Sequence, residues 1–266
     1  MDYKLLNNWA IELNNVDLKT LSLAEAQQIG RMVLTNLVVV IKSQNLSEQD
    51  QIDFCSKIGS VQQSDNKRTD HMRLTNGILR VTGQKNEHGE EGLFGHTSAL
   101  DWHANQASNK NRMPLIWLYG VTGTHGSRTS WINNKLSYEA LPSDIKDQIN
   151  DIKITLGFEA GRYSPSTFFN NHHHEDVPFD LVHTNGAGLT GLYFPFLQVF
   201  GGIDKDLYEM LKNHILKEEF VYHHDWEDGD VIISEQWLSI HKRWEFEQMD
   251  KRILHRIAFD YTRLSK

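Results

Sequence analysis

A chain of 266 residues with 39% apolar and 23% charged residues is long enough to bury a sizeable core and lies outside the compositions of disordered or collagenous chains. A formal charge of -8 leaves no basic excess to neutralise phosphates, which excludes generic nucleic-acid binding and adhesion to anionic membranes. The single cysteine, Cys55, rules out an intramolecular disulfide and any thiolate-built zinc or iron-sulfur site within the chain. A bound metal has to rest on His, carboxylate or amide ligands.

The longest aliphatic run, Leu37 to Ile41, is too short to cross a bilayer, and the amino terminus has no basic segment followed by an apolar one, so a cytoplasmic location is expected. Leu23, Ala26, Ile29, Val33 and Leu34 recur at helical spacing behind Ser22, a suitable N-cap, and the β-branched Val38 to Ile41 then predicts a buried strand. Ser47 before Glu48, Gln49 and Asp50, followed by Ile52, Phe54, Cys55 and Ile58, predicts a capped second helix that stops at Gly59. Further strands are expected at Ile78 to Thr82, Leu115 to Val121, Ile152 to Phe158, Val231 to Ser234 and Ile253 to Tyr261, with helices near Asn134 to Leu141 and Lys205 to Leu216. Ser60 to Gly77 and Gly161 to Gly191 read as long loops, the second a lid candidate. Irregularly spaced strands with few helices predict a mainly β chain with peripheral helices around a closed or sandwiched β core, in one domain spanning 1-266.

Placement decides which of the 14 His carry chemistry; an isolated one such as His214 is expected to be an ordinary hydrogen-bonded side chain. In Asp101-Trp102-His103-Ala104-Asn105, a strand would put His103 on one face with Asp101 and Asn105. Far downstream, WEDGDVIISEQWLSIH ends in His241, so a site shared with His103 requires the β core to bring distant strands together. Arg252 and Arg256, four residues apart in KRILHRIAFDY, would share a strand face, where their forked donors suit a carboxylate. Structural ion pairs are the alternative for both.

Taken in order, these segments resemble the TauD/TfdA-type non-haem Fe(II), 2-oxoglutarate-dependent dioxygenases. LVVVIKSQNLSEQDQIDFCSKIGS resembles the family's opening strand and helix, and DWHANQ stands where the family has Trp-His-x-Asp. GSRTSWINNKLSYEALP is similar to the segment carrying a cosubstrate-contacting Thr, LVHTNGAGLTGLYF to the next strand pair, and WEDGDVIISEQWLSIH with KRILHRIAFDY to the distal His and paired Arg. The resemblance implies a double-stranded β-helix, a jelly-roll (cupin-like) core. It also implies Fe(II) on His103 and His241, 2-oxoglutarate held at its distal carboxylate by Thr129 and Arg252, Arg256 nearer the substrate, and dioxygen as the oxidant. Two imidazoles and one oxygen ligand leave three open positions on the iron for cosubstrate and dioxygen. The implied reaction is oxidative decarboxylation of 2-oxoglutarate to succinate coupled to hydroxylation of a small organic acid, amino acid or amine. Family members are often dimers or tetramers, so a homo-oligomer is a possible partner state, with no nucleic acid or membrane partner.

The departure is Asn105, which stands where the family carries its Asp ligand. Four outcomes are open: ligation through the amide oxygen, which we favour; water or an anion in its place, as in related halogenases; substitution by Asp101; or loss of iron, leaving a ligand-binding β-barrel. On the substrate side, Tyr163, Phe168, Phe169 and His172-His173-His174 fall in the lid candidate, with the three His expected as a solvated loop. Trp102, Phe194 and Trp237 are expected either to line the pocket or to fill the core. Glu235-Gln236-Trp237-Leu238 replaces the family's Trp-Asp-Asn-Arg stretch, which separates this chain from the sulfonate and aryloxyacid members.

Overall fold

The computed structural model describes residues 1-63, 77-85, 89, 97, 99-107, 109, 111-157 and 177-264. Its centre is a seven-stranded sheet in the order β1 (Tyr3–Leu6), β2 (Ala10–Leu13), β3 (Val38–Ile41), β14 (Val231–Glu235), β6 (Leu115–Thr122), β16 (Ile253–Phe259) and β4 (Ile78–Thr82). A four-stranded sheet faces it, ordered β13 (Val221–Asp225), β7 (Arg128–Asn133), β15 (Ser239–Arg243) and β5 (Leu100–His103). Smaller sheets join β12 (Val199–Gly201), β8 (Lys153–Leu156) and β9 (Val177–Asp180), and β10 (Val182–Thr184) with β11 (Thr190–Leu192).

Strand alternation sorts the core into layers. Val39, Ile41, Trp117, Tyr119, Val231, Ile233, Ile257 and Phe259 leave one face of the large sheet and pack under α1 (Leu23–Asn36) and α2 (Glu48–Ile58). Val38, Val40, Ile116, Leu118, Ile232 and Leu254 leave the other face and meet Trp131, Tyr222 and Trp226, from the side of the small sheet. Ile132 and Ile240, on the far face of the small sheet, pack with Leu207, Leu211 and Ile215 of the helix α5 (Lys205–Ile215). Two sheets face to face, sheathed by helices, are the expected β core in its sandwiched and not its closed form.

Both predicted caps are present as reciprocal capping boxes, Ser22 with Glu25 and Ser47 with Asp50, and the second helix ends at Gly59. The remaining predicted elements are present with bounds shifted by a few residues: β6 runs on to Thr122, β8 is shortened to Lys153–Leu156, and the helices α3 (Asn134–Glu139) and α5 end before Leu141 and Leu216. A short helix α4 (Ser143–Ile149) was not expected from the sequence. The expected loop Gly161 to Gly191 needs correcting at its carboxy-terminal end: β9 and β10 lie inside it and β11 begins within it, paired through β8 and through the short β10-β11 ladder. Residues 158-176, with Tyr163, Phe168, Phe169 and His172 to His174, fall outside the described residues, as does 64-76 of the other loop. His214 is the bonded side chain expected, its Nε2 lying 2.8 Å from the Ser137 carbonyl. Among the described residues no helix is long and apolar enough to cross a membrane.

Two features generate stability predictions. Gly229, in the Asp228-Gly229-Asp230 turn before β14, has φ +91°, and a Cβ there would stand 2.8 Å from the Gln44 carbonyl oxygen. Gly229→Ala is expected to cost about 1–3 kcal/mol, read as a lower urea midpoint at unchanged slope. His255, on the helix-covered face of β16, is held to about 4 by burial, with Arg80 adding to the effect, against an ordinary 6.5. Because the folded ring binds its proton more weakly than the unfolded one, its contribution is complete above pH 6.5 and is lost as pH falls toward 4. Between pH 7 and pH 5, His255→Gln is expected to lose roughly 1–2 kcal/mol less unfolding free energy than the parent chain.

Candidate functional site

The space between the two sheets narrows to a cavity whose wall draws on both. β5, β7 and β15 of the small sheet contribute Leu100, His103, Thr129, His241 and Arg243. β4, β6 and β16 of the large sheet contribute Val81, Leu118, Leu254 and Arg256, with Arg252 one residue before β16 and Asn105 on the turn after β5. All six sequence-predicted site residues, His103, Asn105, Thr129, His241, Arg252 and Arg256, therefore meet in one cavity.

Strand register does this. β15 lies between β7 and β5, and His241 stands directly opposite His103 on one side and Trp131 on the other. The two imidazole rings approach to 4.2 Å between centroids, and the fully buried Trp131 lies nearly parallel to the His241 ring. His103 Nδ1 is 2.6 Å from the Asp101 carbonyl oxygen, which can only accept, so Nδ1 carries the proton and Nε2 keeps its lone pair. Burial, with the charges of Arg243 and Arg256, pulls His103 down to about 4, and burial beside His103 holds His241 well below the ordinary imidazole range. Both rings are neutral at pH 7, the protonation state a metal ligand requires.

Asp101 does not share this face. His241 and Arg243 are two positions apart on β15, whereas their partners on β5, His103 and Leu100, are three apart. The extra residue is a bulge that breaks the alternation on which the expectation rested. The Asp101 carboxylate accepts instead from the Trp102 amide at 2.9 Å and pairs with Lys242 at 3.1 Å, while Trp102 packs into the core. Phe194 also fills the core, and Trp237 stacks on Phe179 beside the Arg112 guanidinium.

Asn105 is held on three sides. Its backbone N–H donates to Gln236 Oε1 at 2.9 Å, its Oδ1 accepts from Arg256 Nη1 at 2.7 Å, and its Nδ2 lies 3.4 Å from His241 Nε2. Arg256 can only donate, which fixes the amide with its oxygen toward the guanidinium and its N–H toward the imidazole lone pair. Gln236 is anchored in turn by donating to the Met113 carbonyl.

The other end of the cavity is cationic. Arg252, 1% exposed, donates to Met249 Sδ at 3.8 Å, and its Nε has no hydrogen-bond partner among the described residues. Thr129 Oγ1 accepts from the Trp226 indole N–H at 2.9 Å, which leaves its own hydroxyl hydrogen to be given elsewhere. Arg243 is a wall residue that the sequence reading missed, although it has the same strand parity as His241 two positions on. Burial lowers Arg243 to about 10, and burial together with Arg243 lowers Arg252 to about 9, so both remain charged at neutral pH. Among the described residues the wall holds three guanidinium groups and no carboxylate. A wall with this balance of charge among the described residues is complementary to an anion.

The donor set at the imidazole end also bears on a metal. Two neutral nitrogen donors on adjacent strands suit a divalent first-row ion. Among the described residues no third His, Cys, Asp or Glu joins them. The fit is thus to a divalent metal held by two imidazoles, with an amide where a charged ligand would bind more tightly.

Gln236→Ala would leave the buried Asn105 N–H without an acceptor and is expected to cost about 1–3 kcal/mol of unfolding free energy in urea.

Comparison with known proteins identifies the family and the fold. Residues 2–258 match the family described as "Taurine catabolism dioxygenase TauD, TfdA family". The chain is 22% identical over 269 residues to the alpha-ketoglutarate-dependent 2,4-dichlorophenoxyacetate dioxygenase of Cupriavidus pinatubonensis, covering 93% of each. In fold it is similar to a taurine dioxygenase from Burkholderia xenovorans (TM-score 0.78, 21% identity, 97% of this chain and 88% of that one). It is equally similar to AAD-2 in complex with Mn(II) and N-oxalylglycine (TM-score 0.79, 19% identity, 97% and 96%). These neighbours share the jelly-roll core. The chain belongs to the taurine catabolism dioxygenase TauD, TfdA family, and it is an oxidoreductase of the dioxygenase type.

Proposed function

We propose that the chain is a cytoplasmic non-haem Fe(II), 2-oxoglutarate-dependent oxygenase of a small organic acid, amino acid or amine, with iron on His103 and His241. The observation that carries this reading is the cross-strand pairing of two neutral imidazoles at one end of a cavity whose other end presents Thr129 and Arg252. When bound, iron and 2-oxoglutarate supply the oxidative chemistry: one atom of dioxygen goes to succinate as carbon dioxide leaves, and the other hydroxylates the substrate.

The residues of the chain supply position and environment. The Asp101 carbonyl holds the His103 ring so that Nε2 points its lone pair outward. Arg252 and Thr129 would take the distal carboxylate, the guanidinium as a charged donor and the threonine through the hydroxyl hydrogen that Trp226 leaves unused. Val81, Leu100, Leu118 and Leu254 line the cavity with apolar surface and would keep water from the cosubstrate's methylene chain. Arg256, bonded to Asn105, stands ready for an anionic group of the substrate.

Asn105 would offer a metal only a neutral amide oxygen, already accepting a charge-assisted bond from Arg256 worth about 1.5–3 kcal/mol. Metal binding is therefore weakened and not abolished. Anaerobic addition of Fe(II) and 2-oxoglutarate should develop their visible charge-transfer band; a folded protein that shows no band at saturating metal contradicts the reading. Asn105→Asp is expected to tighten Mn(II) binding at least tenfold, measured by calorimetry. His103→Ala and His241→Ala should each lose the divalent ion while keeping the far-ultraviolet circular dichroism of the parent. Arg252→Ala should raise the 2-oxoglutarate requirement by the equivalent of about 3–5 kcal/mol, the usual effect of removing one partner of a buried charge pair. The missing carboxylate supports a second reading, a ligand-binding β core without turnover. Release of succinate from 2-oxoglutarate separates the two, and product mass with and without chloride separates hydroxylation from halogenation.

A further inference from the structure

We propose that Arg243 is a second cationic anchor, alongside Arg252 and Thr129, for the distal carboxylate of the cosubstrate, so that this subsite is doubly charged. The inference rests on the 2-oxoglutarate reading given above and deepens it. Its basis is the position of Arg243 on β15. That strand carries His241 and Arg243 on the same face, two residues apart, a step of about 7 Å along the strand. The neighbouring strand β7 makes the same step in register: Trp131 stands opposite His241 and Thr129 opposite Arg243.

The cavity therefore has two levels. One holds the imidazoles, and the next holds Thr129 and Arg243, with Arg252 reaching the same cavity from the facing sheet. A five-carbon keto diacid held by its keto-acid end at the imidazole level would reach with its far carboxylate toward the level of Thr129 and Arg243. Arg243 is buried, 6% exposed, in the wall of the cavity. Its side chain lines the same cavity as Arg252 and His103 and stands in register with Thr129. A threonine hydroxyl and two forked cations together form a donor set for a carboxylate oxygen pair.

A doubly charged subsite makes a specific demand: the cosubstrate must be a diacid, and a keto acid of equal length lacking the far carboxylate should be rejected strongly. The test is calorimetric titration of the Mn(II)-loaded protein with 2-oxoglutarate and, separately, with 2-oxopentanoate, for the parent chain, Arg243→Gln, Arg243→Lys and Arg252→Ala. Arg243→Gln is expected to weaken 2-oxoglutarate about tenfold or more while leaving 2-oxopentanoate within twofold, and Arg243→Lys to recover part of the loss. Should the Gln variant not fold, the Lys variant carries the test: replacing the fork by a point charge should still reduce the preference for the diacid severalfold. The inference is overturned if Arg252→Ala loses 2-oxoglutarate binding and the Arg243 variants keep it. It is equally overturned if they weaken both keto acids alike, which would assign Arg243 a purely structural role. If the parent chain binds neither acid, or Arg252→Ala is also without effect, the 2-oxoglutarate reading itself fails.

Discussion

The register between β15 and its two neighbours is the constraint on which the remainder of the site depends. With β15 paired to both neighbours, its ladder with β5 sets His103 against His241 and its ladder with β7 sets Thr129 against Arg243, so one strand positions both the imidazole and cationic ends of the cavity. A slip of one residue would turn every side chain of β15 to the opposite face, sending His241 and Arg243 into the apolar layer now filled by Ile240. Register is held by that same apolar layer and by the burial of Ser239 and Arg243 at the strand's two ends.

The bulge in β5 is part of the same design. By inserting one residue between Leu100 and His103 it swings the Asp101 carboxylate out to Lys242, clear of the imidazoles. The only acidic side chain close to His103 in sequence is thereby withdrawn, and its backbone carbonyl fixes the His103 tautomer instead. Among the described residues, the imidazole end of the cavity is left without a negative side chain while the other end carries several positive ones. Such a cavity gains most from ligands that bring their own negative charge, which a keto diacid does twice over.

Asn105 binds these two features together. Its amide bridges Arg256, from the large sheet, and His241, from the small one, and its backbone is tied to Gln236 on the turn leading into β15. The position thus helps join the sheets across the cavity. An aspartate there would turn the bridge to Arg256 into an ion pair while adding a charge at the imidazoles.

Much of the fold could be read from the chain. Local signals, meaning the capping boxes at Ser22 and Ser47, the all-apolar Val38–Ile41 and the long apolar β16, depend on interactions within a few residues and so are written in the sequence directly. The strands that build the site were harder to see. β7, β13 and β15 carry polar residues that interrupt apolar alternation: Thr129, His241 and Arg243 because they line the cavity, Ser130 and His223 because they bond each other across the strands, and His224 because it is bonded with Tyr222 and Asp230. Which residues belong to the site was legible only through the order and spacing of motifs that resemble a family. Arg243 was missed because it is matched to no such motif, and Asp101 was kept as an alternative because a bulge leaves no mark in the pattern. The sequence alone thus determined the residue types available for chemistry, the absence of thiolate ligands and the replacement of a carboxylate by Asn105. Only the tertiary structure decided which faces those residues occupy and which partners they meet, since strand pairing and the approach of two sheets are interactions between segments that lie far apart along the chain.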